Sequence, residues 1–137
     1  MTGAQGLAAA ISELLPTGLT WHVGQAPTGT VAPPWGIQSH HLPAVVERGA
    51  SSVALSRLGE VRLTVATPHE QSSRAWLERA VDALEGARIT APGWRTSPLR
   101  QVGTIRVYPD RDATLTATNS HLIVGAVAFE YTAIPTA

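Results

Sequence analysis

The sequence predicts an α+β fold, with a mostly antiparallel β-sheet, two helices packed on one side of it, and loop extensions. Strand-like and helix-like stretches follow one another in the order α-β-β-β-α-β-β, and a chain with few helices and many strands usually folds in this way. The 137 residues fit one domain, so residues 1–137 are treated as a single unit. A chain of this length can bury a core without help from metals or disulfides.

The first predicted helix covers residues 6–15. Leu7, Ile11, Leu14 and Leu15 recur at the spacing of one helical stripe. The Pro-Thr-Gly sequence that follows ends the helix. Residues 19–23 then alternate apolar and polar side chains, as a half-buried strand does.

Residues 24–43 are rich in proline and glycine and are predicted to form a long irregular segment. Loops of this length inside compact domains are often functional. Trp35 lies within it and is either an anchor for a protein interface or a side chain folded back onto the core. Residues 44–48 then form a short strand, and residues 51–59 form either an extended hairpin or an exposed loop.

The clearest strand and helix adjoin each other at residues 60–67 and 68–85. Val61, Leu63 and Val65 point to one side of the strand. The sequence from Thr67 to Glu70 reads as a capping box with proline at the first helical position. The helix carries an apolar stripe, a predicted Arg74–Glu78 pair on its polar side, and a stop at Gly86. Its apolar stripe consists of Trp76, Leu77, Ala80, Val81 and Leu84.

The remaining chain is predicted to contain two strands. Residues 91–97 form a loop that carries Trp94 and Arg95. Residues 99–108 form a strand with Ile105 and Val107 inward and Arg106 and Tyr108 outward, followed by a turn at 109–112. Residues 114–119 are either an arm or one side of a hairpin. Residues 121–132 are apolar on both faces, which favours a central place in the sheet.

Composition narrows the class of function. Charged residues make up only 15% of the chain, which leaves uncharged surface for protein contacts. Ten basic residues balance ten acidic ones and no basic run exists, so nucleic-acid binding is not expected to be the main activity. The first 15 residues lack the positive start of a signal peptide, and no stretch approaches the roughly 20 apolar residues of a membrane span.

No motif points to catalysis. The absence of cysteine excludes thiol nucleophiles and cysteine-ligated zinc. There is no phosphate-binding loop, nucleophile elbow or zinc-protease motif. His40 and His41 are adjacent on an extended segment and so point to opposite sides. Asp110 and Asp112 are typical of a turn. We expect no enzyme activity, no metal site and no cofactor.

Several segments together resemble the small tail terminator proteins of long-tailed bacteriophages, particularly phages of actinobacteria. The resemblance spans most of the chain. It is carried by the short helix ending in Leu14-Leu15-Pro16, the strand at Trp21-His22-Val23, the proline-rich residues 31–34, the strand-to-helix unit at 61–67 with Trp76-Leu77 and Leu84, and the strand at 122–131.

This resemblance implies a structural protein of the virion, at the head-proximal end of the tail. Six copies would form a ring on the last ring of the tail tube, stop its polymerisation and offer a surface to the head connector. The implied partners are other copies of the chain, the major tail tube protein and a head-completion or stopper protein, with DNA only passing through the lumen. The candidate interface segments are 24–43, 51–59 and 112–119, and the candidate interface residues are Trp35, His40, His41, Arg57, Trp94, Arg95, Arg111 and Thr116.

Two alternatives remain at this point. A head–tail stopper or adaptor, or another minor tail protein, would have a similar length and composition. A small α+β enzyme or ligand-binding domain would instead show a pocket in which polar groups converge.

Overall fold

The computed structural model describes residues 4–24, 34–48, 54–115 and 120–136. Neither helix within these residues is long and apolar enough to cross a membrane. The elements in chain order are α1 (Ala4–Leu14), β1 (Thr20–Val23), β2 (Trp35–Arg48), β3 (Ala54–Thr67), α2 (Glu70–Leu84), β4 (Trp94–Thr96), β5 (Arg100–Leu115) and β6 (Ser120–Pro135).

The six strands form one sheet, and β6 lies at its centre. The order is β1-β2-β3-β6, after which β4 and β5 both pair with β6. β1 runs parallel to β2, whereas every other pairing is antiparallel. The α+β prediction and the central position of the last strand are therefore confirmed.

Both helices cover the same face of the sheet, which we call the helix face. Because neighbouring strand residues point to opposite sides, one face takes alternate residues of each strand. The largest fully buried side chain is that of Phe129 on β6. Around it pack Leu7 and Ile11 from α1, Val61, Leu63 and Val65 from β3, and Leu77, Ala80 and Leu84 from α2.

Two glycines let side chains lie directly on the helix face. A Cβ added at Gly125 would overlap the end of Leu77, and one added at Gly59 would overlap the Tyr131 ring. Both contacting side chains are buried, so neither can move aside freely. These glycines therefore set how closely α2 and Tyr131 approach the sheet.

A buried glutamine joins α1 to the sheet. Gln38 is fully buried on β2, and its amide donates to the Ala8 carbonyl oxygen at 3.0 Å. Its side-chain oxygen accepts a 2.6 Å hydrogen bond from Ser12. The amide group is thus satisfied inside the core, and it fixes the position of α1 along β2.

The start of α2 differs from the predicted capping box. The helix begins at Glu70 with His69 as the N-cap residue, and no side chain caps it. Thr67 instead accepts the His69 N–H at 3.2 Å and lies 2.7 Å from the hydroxyl of buried Ser73. Ser73 donates to the Ile123 carbonyl oxygen at 2.9 Å, so these two hydroxyls tie α2 to β6. Arg74 pairs with Glu70 rather than with Glu78.

The predicted irregular segment at 24–43 is wrong over its second half. β2 already begins at Trp35, while residues 25–33 lie outside the described part of the chain. β1 pairs with β2 only as far as Gln38, so Pro43 lies on a strand edge that β1 does not cover. The pairing with β3 shifts between His41 and Ala44, and an uncovered edge at a register shift is where a strand tolerates proline.

Two other predictions of irregular structure are wrong, because residues 94–96 form β4 and the predicted turn at 109–112 continues within β5. Residues 54–59 belong to β3, which agrees with the extended hairpin of the two alternatives for this segment. Residues 114 and 115 pair with 121 and 120, so these two residues of the Thr-rich stretch lie on one side of a hairpin. Residues 51–53 and 116–119 lie outside the described residues.

The two long hairpins point towards opposite ends of the sheet. β3 pairs with β6 from Arg57 to Thr67, whose partners are Ala133 and Ile123. Beyond Arg57, β3 pairs only with β2 among the described residues. Beyond Ile123, β6 likewise pairs only with β5. Each end of the sheet therefore carries a two-stranded extension.

Candidate functional site

The face of the sheet opposite the helices, here called the open face, is built by alternate residues of four strands. The registers place these residues in rows that cross the sheet from β2 to β5. The rows are His41–Glu60–Glu130–Arg100, Ser39–Arg62–Ala128–Val102, Ile37–Thr64–Ala126–Arg106 and Trp35–Ala66–Val124–Tyr108.

A groove of about 460 Å³ lies on this face. Ala126 and Ala128 line it from the central strand, and their short side chains leave space between the longer side chains of the neighbouring strands. Arg62 on β3 and Arg106 on β5 both line the groove and are both exposed. The sheet thus carries a shallow depression with an arginine on either side.

The charged end of the open face contains one ion pair. Arg100 donates to Glu130, the carboxylate directly across from it on β6. On the other side of Glu130 lies Glu60, so two like charges are direct neighbours on adjacent strands. Arg62 and Arg106 have no ion-pair partner among the described residues. They remain available to a carboxylate or phosphate from another molecule.

The opposite end of the open face is aromatic and apolar. Trp35 is half-buried there, and Tyr108 is 47% exposed. Val102, which lines the groove, is 46% exposed. Trp35 therefore lies on a strand and on the open face, rather than on a loop or within the helix-face core.

The groove lacks the contacts that would mark a hydrolytic site. Ser39, His41 and Glu60 all line it, but no hydrogen bond joins any two of them in the described structure. An activated nucleophile needs its base within hydrogen-bond reach. Within the described residues, no three His, Asp or Glu side chains are grouped to hold a metal ion.

His40 lies on the helix face, on the other side of the sheet from His41. Its Nε2 and the Tyr131 hydroxyl oxygen share a hydrogen bond at 2.5 Å, and the two rings stack with centroids 5.9 Å apart. Burial lowers the pKa of the His40 imidazole, and nearby His41 lowers it further. Burial also raises the pKa of the Tyr131 hydroxyl. Both groups are thus neutral near pH 7.

The other candidate interface residues do not converge on the groove. Arg57 is half-buried where the β2–β3 extension begins. Trp94 and Arg95 lie on β4, with Trp94 against the core and Arg95 exposed. Arg111 belongs to the β5–β6 extension, and Thr116 lies outside the described residues.

The groove arginines were absent from the candidates chosen from the sequence. Arg106 is predicted on the outward side of its strand, and Arg62 alternates with Val61 and Leu63, which places it on the side opposite to theirs; this alternation was the available signal. Their proximity depends on how β3 and β5 pair with β6, and no local pattern encodes that pairing.

The fold has counterparts among solved structures. A chain of the virion of a native gene transfer agent particle matches with a TM-score of 0.69 and 13% identity, covering 96% of both chains. A second solved structure matches with a TM-score of 0.53 and 15% identity, over 97% of this chain and 91% of its own. At these identities the likeness shows a shared fold. No protein-family model matches the sequence, and neither does any curated protein.

Proposed function

We propose that this chain is a structural virion protein, a tail terminator. Copies of it form a six-membered ring that caps the tail tube and joins it to the head connector. The observation that carries this proposal is the fold shared with a chain of a gene transfer agent virion over 96% of both proteins.

The two hairpin extensions support a position between two different partners. They leave the sheet at opposite ends, one beyond Arg57 and the other beyond Ile123. A subunit between a tail tube and a connector needs contacts at both of its ends, and a ring forms when a head-to-tail contact closes on rotation. The proposal includes the tail tube, the head connector, the sixfold symmetry and a lumen through which DNA passes.

Electron microscopy of tail tubes tests this function. The purified protein is mixed with tail tubes assembled from the major tail tube protein that the proposal names as its partner. We expect ring-shaped particles alone or at one end of each tube, and tube growth that stops when the protein is added. A protein that remains monomeric, never binds a tube end and leaves tube length unchanged would overturn the proposal.

A head–tail stopper would give a different result in the same experiment. It would bind a portal complex and leave the tube ends bare. Parallel binding assays with portal and tube preparations therefore separate the two structural functions.

A further inference from the structure

The groove and the outer surface of α2 lie on opposite sides of the molecule, and their charges are complementary. We infer that the groove of each subunit receives helix α2 of the next subunit, an inference that rests on the proposed ring. The groove supplies Arg62 and Arg106, and α2 supplies Glu78 and Asp82. This is a head-to-tail contact between two different surfaces of the same chain, as a closed ring requires.

The acidic side of α2 is exposed and has no ion-pair partner in the part of the chain that the structure describes. Ala75, Glu78 and Asp82 follow one another at helical spacing and all are exposed, so they form one outward stripe. The other charges of the helix have contacts, since Arg74 pairs with Glu70 and Arg79 lies 4.9 Å above the Trp76 ring. No ion pair reaches Glu78 or Asp82 among the described residues.

The dimensions of the two surfaces agree. Four strands about 4.8 Å apart make the open face about 14 Å wide, which exceeds the roughly 10 Å diameter of a helix. Six steps along β2 make it about 20 Å long. The 15 residues of α2 span about 22 Å, so the helix matches the length of the face. The short side chains of Ala126 and Ala128 allow the helix to approach the central strand.

Other parts of the face favour a protein occupant. Val102 and Tyr108 offer exposed apolar area beside the arginines, and buried apolar and aromatic area is a source of binding energy in protein interfaces. Glu60 and the paired Glu130 on the same face would repel a polyanion. A helix with two carboxylates fits this mixed surface better than nucleic acid does.

Charge reversal tests this contact. One variant carries Arg62→Glu and Arg106→Glu, and the other carries Glu78→Arg and Asp82→Arg. Each alone brings like charges together, and we expect about 100-fold weaker self-association in sedimentation velocity. An equimolar mixture of the two should assemble again, because each acidic groove then meets a basic helix and each basic groove an acidic helix. Arg88→Glu and Glu13→Arg, both exposed elsewhere, are controls that should assemble normally.

Cysteine cross-linking provides an independent test, because the natural chain has no cysteine. A protein with Thr104→Cys at the groove and Ala75→Cys on α2 should give a ladder of covalent oligomers that ends at the ring. Either substitution alone should give at most dimers, and a control pair of Thr104→Cys with Ala9→Cys on α1 should give no ladder.

The outcomes separate this contact from the proposed function. If the wild type forms rings and the reversal variants assemble equally well, the proposed contact is wrong and the proposed ring is unaffected. Reversal variants that fail alone and also fail when mixed overturn the head-to-tail pairing. The groove would instead be assigned to nucleic acid by a third result. In that case the Arg62→Glu, Arg106→Glu variant forms rings normally but no longer binds a 20-base-pair DNA duplex. A wild-type protein that forms no ring, with or without tubes, overturns both proposals.

Discussion

The helix face and the open face are formed by alternate residues of the same strands, yet they differ in almost every physical property. On β3, Leu63 is fully buried under the helices, whereas Arg62 beside it is exposed on the groove. On β6, Phe129 fills the core while Glu130 pairs with Arg100 on the other side. The comparison teaches that one run of sequence can hold the fold together and present a binding surface, with every second residue assigned to each task.

The largest contrast between the faces should come from truncating apolar side chains. Phe129→Ala removes the largest fully buried side chain and should lower the free energy of unfolding by about 3–5 kcal/mol. Val102→Ala on the open face should lower it by less than about 1 kcal/mol, since Val102 is already largely in water. Urea denaturation of both variants measures the difference. Similar losses would show that the open face is also part of the stabilising core.

A second contrast concerns buried polar groups. Gln38→Leu removes one hydrogen-bond partner of the Ser12 hydroxyl and one of the Ala8 carbonyl oxygen, which still bond each other, and should lower the free energy of unfolding by about 1 kcal/mol. The matched control is Ser39→Ala, the next residue along β2, whose side chain lies on the open face. It should have little effect in the same thermal or urea unfolding measurement. Equal stability of the two variants would argue against the buried connection to α1.

The His40–Tyr131 contact predicts a pH effect confined to the helix face. Because burial lowers the pKa of folded His40, the unfolded chain takes up a proton more readily as the pH falls below about 6.5. Protonation therefore favours unfolding, and the stability due to neutral His40 is retained above that pH and lost below it. Between pH 8 and pH 5, the free energy of unfolding should fall more steeply for the wild type than for His40→Gln. His41→Gln leaves the burial of His40 in place and removes only the smaller contribution of His41, so it should keep most of the wild-type slope. A parallel fall in all three proteins would contradict the assignment.

The smallest effect should come from the ion pair of the open face. Arg100→Gln removes the partner of Glu130, but the arginine side chain is 73% exposed. An ion pair this exposed typically contributes at most about 1 kcal/mol, and salt weakens it further. We expect a small loss in the free energy of unfolding at low salt that vanishes in 1 M salt. A loss of several kcal/mol would mean that the pair has a structural role like that of the core.

Much of the fold could be predicted from local patterns. The stripe of α1, the alternation around Leu63 and the apolar β6 segment each report burial directly. The length of the hairpin strands was not predicted, because Pro43 and Pro109 are ordinary signals of loops and turns. Pro43 lies on the part of β2 that β1 does not cover, and Pro109 lies on β5, which among the described strands pairs only with β6. At such edges a missing N–H need not break a ladder hydrogen bond. The position of a strand within a sheet depends on long-range pairing, which a local signal does not contain.

The candidate site was less predictable than the fold. Arg62 and Arg106 are 44 positions apart and become neighbours only because both strands pair with β6. Trp35 and His41 were chosen for chemical character, and both lie on the open face. His40 was chosen for the same reason but stacks on Tyr131 on the other side of the sheet. Residue type thus identified candidates, whereas strand register decided which of them came together.

The central place of β6 has a consequence for how the protein is made. β3, β4 and β5 all pair with this one strand, and they are synthesised before it. A nascent chain that has not yet reached Ser120 holds these strands without their shared partner, and their edges can pair with another chain. Folding of the sheet must therefore wait until β6 leaves the ribosome. The interval before that is the time when the chain is most exposed to aggregation and has most need of a chaperone.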